Sequence, residues 1–205
     1  MKFSCEKALL QSMITIASRA VAPKSTIPAL EGVLLEAEQE LNLTGYNLKT
    51  GIRGTISADI AEPGSIVLSA RLFGDIIRRL PDDMVTLSSD DLMVNITCGM
   101  SEFNILGMDP SQFPELPAVE YQNSMILPQR ILHSMITETI FAVSTNDSRP
   151  IHTGELFERN GEGLLTVVAV DGYRLALRRE TTQLNVSETA CQFVIPAPAL
   201  NEVSK

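Results

Sequence analysis

The sequence predicts an α+β chain built from two tandem copies of one unit, each with two helices packed on antiparallel sheets. Three observations predict it. Ser12-Met13-Ile14-Thr15 recurs as Ser134-Met135-Ile136-Thr137, and the same offset pairs Leu10 with Leu132, Pro28 with Pro150 and Gly32 with Gly154. After a small slip, residues 43–47 align with 167–171, and after a further slip residues 66–70 align with 193–197. Collinear matches separated by short insertions mark a duplicated unit. Finally, helical periodicity and strand alternation follow one another in the same order in both copies.

Each copy is expected to open on a short strand followed by an amphipathic helix. In the first helix Leu9, Leu10, Met13, Ile14 and Ala17 share one face; in the second, Ile131, Leu132, Met135, Ile136 and Ile140 do so. Pro128 fits the first turn of the second helix, where its missing N–H costs nothing. The outward faces carry Lys7, Gln11, Ser12, Thr15 and Ser18 in one helix, and Gln129, His133, Ser134 and Thr137 in the other. Alternation then predicts strands over 29–37, 41–46 and, less cleanly, 49–56. Glu62-Pro63-Gly64 turns the chain into a strand over 65–68, and a helix over 71–80 is stopped by Pro81. Strand-like segments at 84–89, 92–98 and 102–108 complete the first copy, which is itself pseudo-duplicated.

In the second copy residues 164–170 are apolar almost throughout. Asp171-Gly172 then signals a tight hairpin, with Gly172 supplying a positive φ. The return strand over 173–179 places Tyr173, Leu175 and Leu177 on one face. Between the copies, residues 109–121 carry Pro110, Pro114 and Pro117, which favour a stiff, extended linker holding the copies at a defined angle. The expected domains are 1–120 and 124–205. The second lacks a counterpart of the last three strands, so the chain is expected to be a fragment of something longer.

With 44% hydrophobic and 20% charged residues, the chain can bury a core. No apolar run reaches membrane-spanning length, and Met1-Lys2-Phe3-Ser4-Cys5-Glu6 is not followed by the apolar centre of a secretory signal. A cytoplasmic protein without membrane association is expected. Cys5, Cys98 and Cys191 are widely spaced in strand-like contexts and read as buried free thiols; no pair has metal-ligand spacing, and no metal or cofactor is expected.

A formal charge of −9 argues against a tight grip on phosphates. Its distribution is uneven. Lys7, Arg19 and Lys24 fall in a stretch with no acid, and Arg71, Arg78 and Arg79 surround only Asp75. The acids gather in 31–40, 82–91 and 155–162.

Catalytic signals are thin. His152 with Asp147 and Asp171 can be drawn as a base with orienting carboxylates. No nucleophile elbow, glycine-rich phosphate loop or metal-spaced cluster accompanies them, so the chain reads as non-catalytic. The hairpin that bears Tyr173, Arg174 and Leu175 is more specific. At its plainest it is only a turn, but Tyr and Arg near a sheet edge also anchor partner peptides.

A resemblance carries the reading further. It rests on Met1-Lys2-Phe3, Lys24-Ser25-Thr26-Ile27-Pro28-Ala29-Leu30 and Leu43-Thr44-Gly45-Tyr46-Asn47-Leu48. It continues in Phe113-Pro114-Glu115-Leu116-Pro117, Arg149-Pro150-Ile151 and Val170-Asp171-Gly172-Tyr173-Arg174-Leu175-Ala176. Over its whole length the chain resembles the bacterial replicative sliding clamps, the beta subunits of DNA polymerase III. The resemblance implies the DNA clamp fold, with this chain supplying the first domain and most of the second and lacking a third. In that family two subunits close into a ring around double-stranded DNA.

The resemblance also implies roles. Lys24 and Asn146 occupy DNA-contacting positions, and Lys7, Arg71, Arg78, Arg79 and Arg130 are candidates to face the duplex. Arg149, His152, Val170, Gly172, Tyr173, Arg174 and Leu175 would line a pocket for short peptides of the polymerase catalytic subunit, the clamp loader and other clamp-binding proteins. His152 stands where an aliphatic residue is expected, and Val170 replaces a usual Thr. Phe103 and Ile105 match the subunit interface of the full-length homodimer; this chain alone is not expected to close a ring. Weak, salt-sensitive contacts along Ser-, Thr- and Gln-rich helix faces suit a protein that slides. The alternative is a peptide-binding scaffold with no nucleic-acid role.

Overall fold

The computed structural model describes residues 1–118, 126–146, 148–160, 163–181 and 190–205. The chain divides into two compact units, Met1–Pro117 and Ala118–Lys205.

The first unit runs β1 (Lys2–Glu6), α1 (Lys7–Ala17), β2 (Gly32–Ala37), β3 (Leu41–Tyr46), β4 (Gly51–Ile56), β5 (Asp59–Glu62), β6 (Gly64–Ser69), α2 (Ala70–Arg79), β7 (Met84–Asp90), β8 (Met93–Cys98) and β9 (Ser101–Leu106). Its antiparallel sheets have the orders β4-β3-β2-β6 and β5-β1-β7-β8-β9. The strand leading each half pairs with the other half's meander, β1 with β7 and β6 with β2. This exchange ties the halves into one core. Leu10, Ile14, Phe73 and Ile77 from the helices meet Phe3, Leu35, Leu43, Leu87 and Ile96 from the sheets, all buried. Each such side chain contributes about 1.5–3 kcal/mol through burial.

Three details depart from the sequence reading. Residues 28–31 form a 3-10 turn with Pro28 in its first turn, so β2 starts at Gly32. Lys49 and Thr50 belong to a turn in which the Asn47 side-chain oxygen accepts both their backbone N–H groups, at 3.0 and 2.8 Å. β5 was not anticipated; it is four residues long, and only Ile60 of it packs toward the core, which leaves little alternation to read.

The proline-rich segment also behaves differently at its start. Asp109 accepts the Ser111 N–H at 2.9 Å and caps a 3-10 turn over Pro110–Gln112. Phe113 is buried, and Met108 and Val67 exchange backbone hydrogen bonds of 2.8 and 3.2 Å. Residues 109–117 therefore pack as part of the first unit.

The second unit runs α3 (Gln129–Thr139), β10 (Gly154–Arg159), β11 (Leu164–Val170), β12 (Leu175–Thr181), β13 (Cys191–Pro196) and α4 (Ala197–Val203). Its sheet order, β12-β11-β10-β13, reproduces β4-β3-β2-β6. Met135, Ile136, Phe157, Leu165, Val167 and Leu200 form its core, and Phe157 stacks on Phe193 across β10 and β13 at 5.8 Å. The repeated tetrapeptide is used identically. Met13-Ile14 and Met135-Ile136 are buried, while the Thr15 and Thr137 hydroxyls donate back to the Gln11 and His133 carbonyls. The short strand expected before α3 is absent over residues 126–128, and the rest of that expectation lies outside the described residues. A strand needs a ladder partner, and among the described residues of the second unit none plays the part that β7 plays for β1 in the first. Cys5 and Cys98 are buried as expected, but Cys191, the first residue of an edge strand, is exposed.

Candidate functional site

In the second unit a cleft of about 600 Å³ opens between residues 143–146, Ser148 and Arg149, the turn Pro150–Thr153 and the loop joining β11 to β12. It gathers Arg149, His152, Gly172, Tyr173 and Arg174, expected at a peptide pocket, and Asn146, expected at DNA. Local hydrogen bonds build it. The Ser144 N–H donates to the His152 carbonyl and the His152 N–H to the Arg149 carbonyl, both at 2.9 Å. The Asn146 side-chain oxygen accepts the Ser148 N–H at 2.9 Å.

The opposite wall is the hairpin loop. It is wider than a two-residue turn, because Asp171 accepts the Tyr173 and Arg174 N–H groups on one carboxylate oxygen, both at 3.0 Å. The other oxygen takes the Arg174 guanidinium at 2.8 Å. These bonds, first the Tyr173 and Arg174 amides and then the guanidinium, hold the Asp171 carboxyl below its usual range. The return strand consequently begins at Leu175 and not at Tyr173. Gly172 has φ +95°, as the turn requires. Arg174 lies 5.9 Å from the centre of the Phe141 ring, within cation–π range. Tyr173 projects fully into solvent, and Phe141 and Ile151 add exposed apolar surface that the sequence reading missed. Phe141 could have been found as a bulky residue just past the last core position of α3. Val170 and Leu175 face each other across β11 and β12 beside the cleft; Leu175 is 64% exposed.

The basic candidates separate into groups. In the first unit α1 and α2 pack side by side, and a groove of about 650 Å³ between them is lined by Gln11, Thr15, Ser18, Arg71, Gly74 and Arg78, among others. Arg78 is paired with Asp75 at 3.2 Å, and Arg79 is exposed. Lys24 is exposed in the loop after α1 and has no ion-pair partner among the described residues. Lys7 differs: its ammonium is held 2.7 Å from Asp82 and its side chain is largely covered. In the second unit Arg130 is exposed on the first turn of α3 and lines a groove with His133, Val203 and Lys205.

Phe103 and Ile105 lie on β9, the edge of the five-stranded sheet, opposite the buried Ile96 and Val94. They share the core-side face, yet Phe103 remains 40% exposed because no further strand pairs with β9 among the described residues. Of the base-and-carboxylate arrangement, Asp147 lies outside the described residues. Asp171 spends both oxygens on its own loop. Among the described residues no group of His, Cys, Asp and Glu is placed to hold a metal ion, and no helix is long and apolar enough to cross a membrane.

Comparison with known proteins adds to this geometry. The family model described as DNA polymerase III beta subunit, N-terminal domain, matches residues 1–117, and the one for the central domain matches residues 126–205. The chain is 36% identical to the beta sliding clamp of Halalkalibacterium halodurans, covering 100% of this chain and 57% of that protein. It is 36% identical to the beta sliding clamp of Staphylococcus epidermidis, covering 100% and 56%. Among solved structures, a DNA polymerase III beta subunit from Eubacterium rectale aligns with TM-score 0.95 at 36% identity, covering 100% of this chain and 56% of that one. The sliding clamp of Bacillus subtilis aligns with TM-score 0.94 at 32% identity, covering 100% and 56%. The chain thus spans just over half the length of the relatives it matches.

Proposed function

The chain belongs to the DNA polymerase III beta subunit family, and on that premise we propose that it supplies two of the domains of a replicative sliding clamp. In this reading residues 1–120 are the first domain and 124–205 the second, still incomplete. The longer protein is a homodimeric ring that encircles double-stranded DNA, and this chain by itself does not close one. The protein acts without catalysis, in the cytoplasm, as an accessory factor that tethers a polymerase. The cleft framed by Arg149, His152 and the 171–174 loop, with Val170 and Leu175 beside it, receives short peptides of the polymerase, the clamp loader and other partners.

The observation that carries this reading is the placement of charge. The body is acidic at −9, while Arg71 and Arg78 line a helix groove together with Gln11, Thr15, Ser18 and Ser69, where Glu31 and Asp75 offset their charge. Such a face attracts a polyanion weakly and without preferred register, so enclosure and not grip does the holding. Lys24, Arg79, Arg130 and Asn146 extend the DNA-facing set. Lys7, neutralised by Asp82, contributes least. Phe103 and Ile105 form part of the subunit contact.

The test uses circular DNA. A ring-competent longer protein stays on a closed circle and is lost once the circle is cut; this chain shows neither behaviour. Retention of this chain on circles alone would contradict the reading. The net negative charge favours one second reading, a peptide-binding scaffold without DNA. Peptide binding in a ring-competent protein that is indifferent to Lys24→Ala and Asn146→Ala on DNA would favour it.

A further inference from the structure

The two units share more than a sheet order. The Ala22 N–H donates to the Leu30 carbonyl at 3.0 Å, as Ser144 does to His152 at 2.9 Å. Asn47 accepts the Lys49 and Thr50 amides just as Asp171 accepts those of Tyr173 and Arg174. Tyr46 faces Gly51 across β3 and β4, as Val170 faces Leu175 across β11 and β12. The backbone frame that supports the cleft of the second unit is therefore present in the first, at Ala22, Ile27, Leu30, Tyr46 and Gly51.

In the first unit most of that frame is covered by the chain itself, with Gly51 left exposed at its rim. Phe113 is 7% exposed in a cluster with Ala22, Leu30 and Tyr46, against which Ile27 and Leu116 also pack. Leu116 sits so close above Gly51 that a Cβ built there would lie 2.2 Å from Leu116 Cδ2. The segment is pinned at its start by the Asp109 cap and the Met108–Val67 bridge, and Pro110 and Pro114 limit its conformational freedom. At the corresponding place in the second unit Leu175 is exposed.

We infer that the first unit carries its own version of the docking groove, closed in cis by residues 109–117, with Phe113 and Leu116 as the two anchoring side chains. The segment expected to be a spacer is a resident ligand. The groove accepts an extended strand of that chemistry, an aromatic and a leucine three residues apart, once the strap is withdrawn. The closure also removes the first unit from competition for partner peptides and leaves the second unit as the open site. This last consequence rests on the proposed function; the occupancy of the first groove does not.

The test uses the whole chain and a fluorescent peptide of residues 109–117. In F113A/L116A the strap loses its anchors, and the peptide should bind in trans at least about tenfold more tightly than to the unsubstituted chain. Adding Gly51→Leu to the double variant fills the Leu116 position and should abolish the gain. Equal binding by the unsubstituted chain, a gain that survives Gly51→Leu, or no gain in a folded double variant would each overturn the inference. Should the double variant fail to fold, Gly51→Ala alone serves. The Phe113 amide, bonded to the Pro110 carbonyl at 3.0 Å, should exchange its hydrogen about tenfold faster as the strap is displaced. Unchanged exchange would count against a strap seated on Gly51.

Discussion

The Thr139 hydroxyl lies 2.7 Å from the Met135 carbonyl oxygen and 2.7 Å from Glu155 Oε1, inside the second unit. It has one proton to give and two close acceptors, with the Ile136 carbonyl a third at 3.4 Å. Glu155 is fully buried, and its other carboxylate oxygen has no partner among the described residues. Burial raises the Glu155 carboxyl above its ordinary 4.5 despite the Thr139 bond. When Glu155 takes up a proton it can donate to the Thr139 oxygen, which leaves the Thr139 proton for the Met135 carbonyl.

The sign of the pH effect follows. A carboxyl whose folded value is raised contributes stability that is complete below its unfolded value and fades as pH rises through the folded one. Glu155→Gln keeps a neutral group there at every pH. Its stability relative to the unsubstituted chain should increase from pH 4.5 toward neutrality, read by urea denaturation at a series of pH values. A difference that stays constant with pH would contradict the assignment. Thr139→Val, which strips Glu155 of its partner, should cost about 1–3 kcal/mol.

Asp171 organises the cleft loop by accepting two amides and the Arg174 guanidinium. Asp171→Ala frees all three donors, but water can replace the lost bonds at the surface, so stability should fall only slightly. If the cleft is the peptide site, affinity for a clamp-binding peptide falls by roughly tenfold or more, whereas stability changes little. Calorimetric titration beside thermal melts separates the two effects.

For DNA, Lys24→Ala and Arg71→Ala in the ring-competent protein should each flatten the logarithmic dependence of binding on salt by about 0.9, one phosphate's worth. Lys7→Ala should leave that slope unchanged. Its ammonium already serves Asp82, an exposed partner, so the change in stability should stay within about 1 kcal/mol. Binding measured across a salt series distinguishes these residues.

β9 offers an open ladder edge with Phe103 beside it. Unpaired edges with apolar neighbours associate, and charges blunt them. Sedimentation of this chain at rising concentration should show self-association, reduced by Phe103→Lys. A strict monomer at high concentration would contradict the expectation.

Thiol labelling should separate the cysteines. Cys191 is exposed and should react in the native state, while Cys5 is buried, with burial first and Glu6 second pushing it to about 12. Cys5 and Cys98 should become reactive only on unfolding.

Much of this was legible in residue order. The tandem repeat announced that β12-β11-β10-β13 would copy β4-β3-β2-β6, because equal patterns of inward residues bury equal faces. The helix faces through Met13-Ile14 and Met135-Ile136, the stop at Pro81 and the turn at Asp171-Gly172 all express preferences that act over a few residues. Such preferences survive translation into structure because they depend on backbone sterics and on side-chain period alone.

What the order of residues left open depends on pairs far apart in the chain. Lys7 meets Asp82, Leu116 meets Gly51, and Asn146 shares a cleft with Arg174. β5 and the exposure of Cys191 belong here too, since an edge is defined by the strand that is not beside it. Periodicity says which side of an element turns inward; it is blind to which distant element waits there. That choice is made by strand register and sheet order, where hydrogen-bonded pairing and close packing act together across the fold.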